Sequence, residues 1–150
     1  MSRISLFTSL LLLAGCSTYS DEELNNFDNE IQEYIKENNL EMDYLESGMY
    51  YKIIDEGDGD EFIKLTDRVD FYYTGSFLNG DVFQKIGVKN PLSFQVRELI
   101  IGWQDALTLI KDNGRIKIII PPHLGYGTKK TELVPPNSIL VYDIYVKSVD

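Results

Sequence analysis

The stretch Glu98-Leu99-Ile100-Ile101-Gly102-Trp103-Gln104-Asp105-Ala106-Leu107 contains the only tryptophan of the 150-residue chain. From Trp103 onward the apolar residues recur at helical spacing, at Leu107 and Ile110, which predicts a short helix that begins at Trp103. Gly102 lacks a side chain and permits a backbone or a ligand to come close. A tryptophan in the first turn of a short helix can form a pocket floor, or it can be an ordinary core residue.

The first 15 residues have the composition of a targeting segment. Arg3 is followed by an apolar run over residues 4–13, which is too short to span a bilayer as a stable helix. Small residues then precede Cys16, the only cysteine. This arrangement resembles the lipobox of bacterial lipoproteins, in which the cysteine is lipid-modified and becomes the first mature residue. The alternative is an incidental buried thiol.

The resemblance to lipoproteins also implies a location. Lipid on Cys16 would attach the protein to a membrane of the cell envelope, with its folded part in an aqueous compartment. Because Ser17 rather than an aspartate follows the cysteine, sorting in enteric-type bacteria implies an outer-membrane destination facing the periplasm.

An acidic arm over residues 16–47 precedes the folded domain. Residues 21–61 contain 15 acidic residues and two lysines, so nucleic acid is not an expected partner. Ser20 and Glu23 form a capping box, which predicts a helix over residues 21–37. Its apolar stripe either docks on its own domain or contacts a partner, for example in a homodimer; the stripe consists of Leu24, Phe27, Ile31, Tyr34 and Ile35.

Alternation of apolar residues and turn signals predict the remaining elements. We expect strands over residues 49–54, 69–74, 92–96, 115–120 and 139–149, and a hairpin turn over residues 78–81 that leads into a further short strand. Asn113-Gly114 is expected to end the tryptophan helix. The acidic run over residues 56–60 is interpreted as an exposed turn, since it lacks the ligand spacing of a calcium-binding loop.

These elements predict an α+β fold, with an antiparallel sheet of about five strands wrapped on one short helix and an N-terminal helix before it. The domain organisation that follows is a lipoprotein signal peptide over residues 1–15, a tether and acidic amphipathic helix over residues 16–47, and a folded domain over residues 48–150.

Five motifs of this domain occur in the order seen in FKBP-type peptidyl-prolyl isomerases, so the chain resembles that family. They are Tyr73-Thr74-Gly75, Gly80-x-x-Phe83, Ile100-x-Gly102-Trp103, Gly125-Tyr126-Gly127 and Val134-Pro135-Pro136-x-x-x-Leu140-Val141-Tyr142-Asp143. The resemblance implies that proline-containing polypeptides are the substrates, that X–Pro bonds are rotated, and that neither a cofactor nor a metal is used.

The resemblance also implies site residues. Trp103 would be the pocket floor, and Ile100 and Tyr126 would hydrogen-bond substrate carbonyls. The implied catalytic residues are Tyr73, Phe83, Trp103 and Tyr126, and the implied substrate-binding residues are Gln84, Leu92, Phe94, Leu99, Ile100, Leu133, Val134 and Tyr142.

Two positions depart from the family pattern. Gln84 stands where the family usually has an aspartate, and Leu92 stands where it has a phenylalanine. An amide can exchange hydrogen bonds but supplies no negative charge. A binding or chaperone module with weak or lost isomerase activity is therefore the alternative to an active isomerase. His123, the only histidine, is interpreted as an exposed loop residue rather than a catalyst.

Overall fold

The computed structural model describes residues 19–150, so Cys16 and the expected signal peptide lie outside the described residues. Two α-helices and seven strands make up the fold, with short 3₁₀ helices at Val96–Glu98 and Pro122–Leu124. The helices are α1 (Asp21–Glu37) and α2 (Ile101–Leu107). The strands are β1 (Asp43–Tyr44), β2 (Tyr50–Asp55), β3 (Arg68–Phe77), β4 (Val82–Ile86), β5 (Leu92–Gln95), β6 (Arg115–Ile120) and β7 (Leu140–Val149).

The strands form one antiparallel sheet in the order β1-β2-β6-β7-β3-β4, and β5 also pairs with β3. This confirms the α+β class, although the sheet has seven strands rather than about five. The unexpected strand is β1, which lies in the stretch assigned to the arm. A strand of two residues has no alternation for a sequence pattern to reveal.

The tryptophan helix α2 differs from its prediction at both ends. It begins at Ile101, because the extended residue Ile100 accepts hydrogen bonds at its carbonyl from the amides of Trp103 (3.0 Å) and Gln104 (3.1 Å). It ends at Leu107, well before Asn113-Gly114. Ile110 is buried in the core, but it lies in a turn in which its amide donates to the Leu107 carbonyl at 3.3 Å. The helical spacing of apolar residues therefore extends beyond the end of the helix.

One face of the sheet, here called the inner face, packs on α2. Alternate residues of β7 point into this core, together with alternate residues of β6 and with Trp103, Ala106 and Leu107 of the helix. Gly102 lets α2 approach β6 directly, since a Cβ there would lie 2.7 Å from Cγ2 of Ile120. The buried strand residues are Ile116, Ile118, Ile120, Leu140, Tyr142, Ile144 and Val146.

The opposite, outer face of the sheet carries α1. The expected capping box is present: the Ser20 hydroxyl accepts from the Glu23 amide (3.2 Å), and the Glu23 carboxylate accepts from the Ser20 amide (2.8 Å). Ile31 is completely buried in a cluster with Ile119 and Ile139, so the apolar stripe docks on its own domain. None of the helices within residues 19–150 is long and apolar enough to cross a membrane.

Candidate functional site

A cavity of about 280 Å³ opens where the inner face meets the start of α2. We call it the aromatic pocket, because six of its lining residues carry aromatic rings. It is bounded by β3, β5, β7, the segment that leads into α2, and the loop after the second 3₁₀ helix. The lining residues are Phe71, Tyr73, Leu92, Phe94, Glu98, Leu99, Ile100, Trp103, Tyr126 and Tyr142.

Trp103 lies at the centre of the aromatic cluster. Its ring is 4% exposed and meets three rings edge-on, with centroid distances of 5.0 Å to Phe71, 4.9 Å to Tyr73 and 5.2 Å to Tyr142. Edge-to-face pairs of this kind contribute about 0.5–1.5 kcal/mol each beyond their burial. Trp103 is thus both a core residue and part of the pocket wall.

Strand register brings these rings together. Phe71 and Tyr73 are two residues apart on β3 and share a face, while Gly75 lies opposite Tyr142 on β7. A Cβ at Gly75 would lie 2.6 Å from Cζ of Phe83 and 2.9 Å from Cε1 of Tyr142. The glycine therefore makes room for the two rings, which themselves pack edge-on at 5.8 Å.

The phenol groups of Tyr73 and Tyr142 are neutral at physiological pH. The Tyr73 hydroxyl donates to Oε1 of Gln84 at 2.5 Å, and burial raises the pKa of Tyr73 to about 12. Burial, with a smaller contribution from Tyr126, also raises the pKa of Tyr142. Protonated hydroxyls bring no negative charge into an apolar site, and the hydrogen of the Tyr73 hydroxyl is already donated to Gln84.

The segment before α2 is held by a side chain that sequence reasoning missed. Nε2 of Gln104 donates to the carbonyls of Leu99 (2.7 Å) and Arg97 (3.2 Å). A ligand carbonyl accepts hydrogen bonds, so the backbone group of Ile100 that can bind it is the N–H; the Ile100 carbonyl accepts two amides of α2. Gln104 therefore fixes the position of the Ile100 N–H group.

The predicted site residues fall into three groups. Eight of them line the aromatic pocket: Tyr73, Leu92, Phe94, Leu99, Ile100, Trp103, Tyr126 and Tyr142. Phe83 and Gln84 stand behind the lining and contact Tyr142 and Tyr73, respectively. Val134 and Leu133 are not lining residues; the former is buried in the inner core, and the latter is 45% exposed.

Two lining residues escaped the sequence analysis. Phe71 could have been found, since it alternates along β3 on the same face as Tyr73. No sequence pattern indicated that Glu98 would line the pocket, because it lies in a short 3₁₀ helix that is not marked by a motif. Its carboxylate accepts the Gln95 amide at 2.9 Å, which caps that turn.

The aromatic pocket is lined mainly by apolar and aromatic side chains. Within residues 19–150 there is no group of three or more His, Cys, Asp or Glu side chains that could hold a metal. His123 is exposed, lies outside the aromatic pocket and has Nε2 2.9 Å from the Ser47 carbonyl oxygen. What the pocket offers is an apolar surface with oriented hydrogen-bond donors.

Comparisons with known proteins agree with this geometry. The family model described as FKBP-type peptidyl-prolyl cis-trans isomerase matches residues 59–147. A probable FKBP-type peptidyl-prolyl cis-trans isomerase of Haemophilus influenzae is 42% identical over 107 residues, which are 70% of this chain and 44% of that protein. FkpA of Escherichia coli is 38% identical over 104 residues, or 69% of this chain and 38% of FkpA.

Solved structures give the same result. The crystal structure of E. coli FkpA superposes with a TM-score of 0.74 at 32% identity, covering 86% of this chain and 62% of FkpA. That of AtFKBP13 superposes with a TM-score of 0.64 at 29% identity, covering 71% of this chain and 96% of AtFKBP13. The chain spans less than half the length of the sequence relatives named above.

Proposed function

Since this chain belongs to the FKBP-type peptidyl-prolyl cis-trans isomerase family, we propose that it catalyses cis–trans rotation of X–Pro bonds in polypeptides and so assists protein folding in the bacterial cell envelope. The observation that carries the proposal is the aromatic pocket, in which Tyr73, Trp103 and Tyr142 meet edge-on beside a cavity of about 280 Å³. Such a pocket suits a proline ring with its flanking backbone.

The chemistry requires no nucleophile. Rotation about an amide bond has a barrier of about 18–20 kcal/mol because resonance is lost, and the twisted transition state is less dipolar than the planar amide. An apolar site therefore binds the twisted form better than water does, which is differential binding of the transition state. In this proposal Trp103 and its neighbours hold the ring, while the Ile100 N–H and the Tyr126 hydroxyl orient the backbone on either side.

The first test is turnover of a blocked Ala-Leu-Pro-Phe peptide by the purified protein and by Trp103→Ala. We expect the wild-type rate to exceed the uncatalysed rate clearly, and the substitution to lower kcat/KM by roughly tenfold or more, because the proline loses its floor. A wild-type rate no faster than that of the variant would rule out catalysis by this pocket.

A matched pair of tyrosines makes the test more specific. Tyr73 and Tyr50 both have their pKa raised to about 12, and each hydroxyl donates to one side chain, Gln84 for the first and Asp28 for the second. Only Tyr73 lines the pocket. Tyr73→Phe should lower kcat/KM severalfold, while Tyr50→Phe leaves it unchanged. Equal losses of kcat/KM in both variants would show that the loss comes from impaired folding and not from the pocket.

A second candidate function is a binding or chaperone module with weak isomerase activity. Gln84 favours it, since its neutral amide accepts the Tyr73 hydroxyl where the family has a carboxylate, and a carboxylate acceptor makes a stronger hydrogen bond. Leu92 favours it as well, by taking the place of an aromatic wall. Gln84→Asp separates the two functions. A large gain in turnover supports the weakened site, and no change from a robust wild-type rate rejects it.

For the location we propose a lipid anchor. The support is the sequence alone: residues 1–15 as a lipoprotein signal peptide, Cys16 as the lipidated residue, residues 16–47 as tether and arm, and residues 48–150 as the isomerase domain. Ser17 after the cysteine favours the outer membrane, with the domain facing the periplasm. Cys16→Ser should abolish incorporation of a labelled fatty acid in a bacterial host, and persistent labelling would exclude this anchor.

We also propose that the chain forms a homodimer through the arm. The support is the apolar surface at the end of α1, where Leu40 is 40% exposed beside a cavity of about 380 Å³ that Tyr34 also lines. Sedimentation across a concentration series tests it. A mass that rises to twice the chain mass supports the dimer, and a constant single-chain mass excludes it.

A further inference from the structure

A second depression continues from the aromatic pocket, and the acidic arm forms one of its walls. It has a volume of about 730 Å³ and is lined by Tyr19 and Leu24 of the arm, by Ile100 and Ile101 at the start of α2, and by the loop that contains Tyr126 and Lys129. We call it the arm groove. Ile100 and Tyr126 line both depressions, so a polypeptide can pass from one into the other without leaving the surface.

The arm wall is fixed in place by specific contacts. The Tyr19 hydroxyl donates to Oδ1 of Asn137 at 2.7 Å, and the Tyr19 ring packs edge-on against Phe27 at 5.3 Å. Asn137 in turn donates its backbone N–H to the Gly127 carbonyl at 2.8 Å. The arm is thus connected through one residue to the loop that places Tyr126.

The chemistry of the groove favours an apolar occupant. Leu24 is half-buried on the arm side, and Ile101 is 51% exposed on the helix side although it stands in the first turn of α2. Partly exposed apolar side chains on the walls of a groove next to a binding site are typical of a contact surface. Lys129 and His123 are the basic side chains that line the groove within the described part of the chain.

We propose that the arm groove is a subsite for an apolar side chain of the polypeptide substrate, a few residues from the proline held in the aromatic pocket. The inference rests on the proposed function in that the occupant is the same chain whose X–Pro bond is bound. The arm, which lies outside the matched family region, then selects among proline-containing segments by what flanks the proline.

The test measures binding by calorimetry, so that its outcome does not depend on turnover. The probes are blocked Ala-Leu-Pro-Phe and two longer peptides in which Ser-Leu-Leu-Ser extends this core on its N-terminal or its C-terminal side. We expect one extension to tighten binding about fivefold to tenfold, as partial burial of a leucine side chain implies. Leu24→Lys should bring the affinity ratio of extended to short peptide close to one, and Leu24→Ala should lower it partway.

Leu40→Lys is the matched control, since Leu40 is an exposed leucine at the other end of the arm, and it should keep the full ratio. A ratio near one for the wild type, or an unchanged ratio in both Leu24 variants, would overturn the subsite. Equally tight binding of an extended peptide in which alanine replaces proline would overturn it too, because the groove would then be an independent docking surface. Absence of turnover with intact peptide binding would instead reject the isomerase proposal alone.

Discussion

The two faces of the sheet are covered by helices in different ways. On the inner face, Trp103 of α2 meets rings of β3 and β7 edge-on beside a cavity of about 280 Å³. On the outer face, the contact of α1 is centred on aliphatic side chains: Ile31 is completely buried with Ile119 and Ile139, while the rings of Phe27 and Tyr34 are only partly buried. Rigid rings that meet edge-on cannot collapse to fill a gap, whereas aliphatic side chains interdigitate. The same sheet thus has one contact whose rings line a pocket and one whose centre, at Ile31, is fully buried.

The largest effect on stability should come from removing α1. Deletion of residues 17–38 leaves β1 in place and exposes the outer-face cluster, which loses Phe27, Ile31, Tyr34 and Ile35. Each fully buried apolar side chain contributes about 1.5–3 kcal/mol, so the free energy of unfolding should fall by more than about 3 kcal/mol. Urea denaturation of both chains measures it. An unchanged midpoint would mean that the outer-face contact adds nothing to the fold.

A single substitution isolates the centre of that contact. Ile31→Ala should cost about 2–5 kcal/mol, because Ile31 is fully buried and the space it leaves cannot refill. Leu40→Ala, at an exposed leucine, should stay within about 0.5 kcal/mol and serves as the control. The loss should not depend on protein concentration. A loss that shrinks as the concentration rises would indicate a dimer contact instead.

High pH should weaken the fold at the inner face, in addition to the same effect of Tyr50 on the outer face. Tyr73 and Tyr142 have raised pKa values in the folded protein, so between about pH 10 and 12 the unfolded chain releases protons that the folded chain keeps. Their contribution is complete below pH 10 and declines as the pH rises, by at most about 1.4 kcal/mol per pH unit for each hydroxyl. Unfolding at pH 9 and pH 11 measures the decline, which should be shallower in Tyr142→Phe. An equal slope in that variant would contradict the assignment.

The smallest effect on stability is expected for the ion pair of Arg115 and Asp143 on the outer face. Asp143 accepts two hydrogen bonds from Arg115, at 3.0 and 2.8 Å, while the guanidinium also lies 4.3 Å from the centre of the Tyr145 ring. Both charged side chains are partly exposed, so Asp143→Asn should cost only about 0.2–1 kcal/mol, and less at high salt. A loss of unfolding free energy larger than that of Ile31→Ala would contradict this ranking.

Sequence patterns predicted some of these features better than others, for physical reasons. The bounds of α1 could be predicted because a capping box and a 3.6-residue stripe agree. Those of α2 could not, since Trp103, Leu107 and Ile110 all reach the core, although the helix ends at Leu107 and a turn carries Ile110 inward. The short strand β1 was missed because two residues form no pattern.

For the site, the family motifs named most of the lining residues, while strand register decided the rest. Phe71 lines the pocket because it shares a face of β3 with Tyr73, and Val134 belongs to the core although it lies in a motif. Nothing in the sequence indicated that Tyr19 and Leu24 would lie beside Ile100, because that contact depends on how α1 crosses the outer face.

The most direct test of the division between the faces is kcat/KM toward the short Ala-Leu-Pro-Phe peptide for Trp103→Leu and Ile31→Ala, measured at a temperature where both are fully folded. Trp103→Leu removes a ring from the pocket, and Ile31→Ala removes a contact on the other side of the sheet. We predict a loss of roughly tenfold or more for the first variant and a change of less than about twofold for the second. Similar losses for both, or the larger loss in Ile31→Ala, would contradict the account.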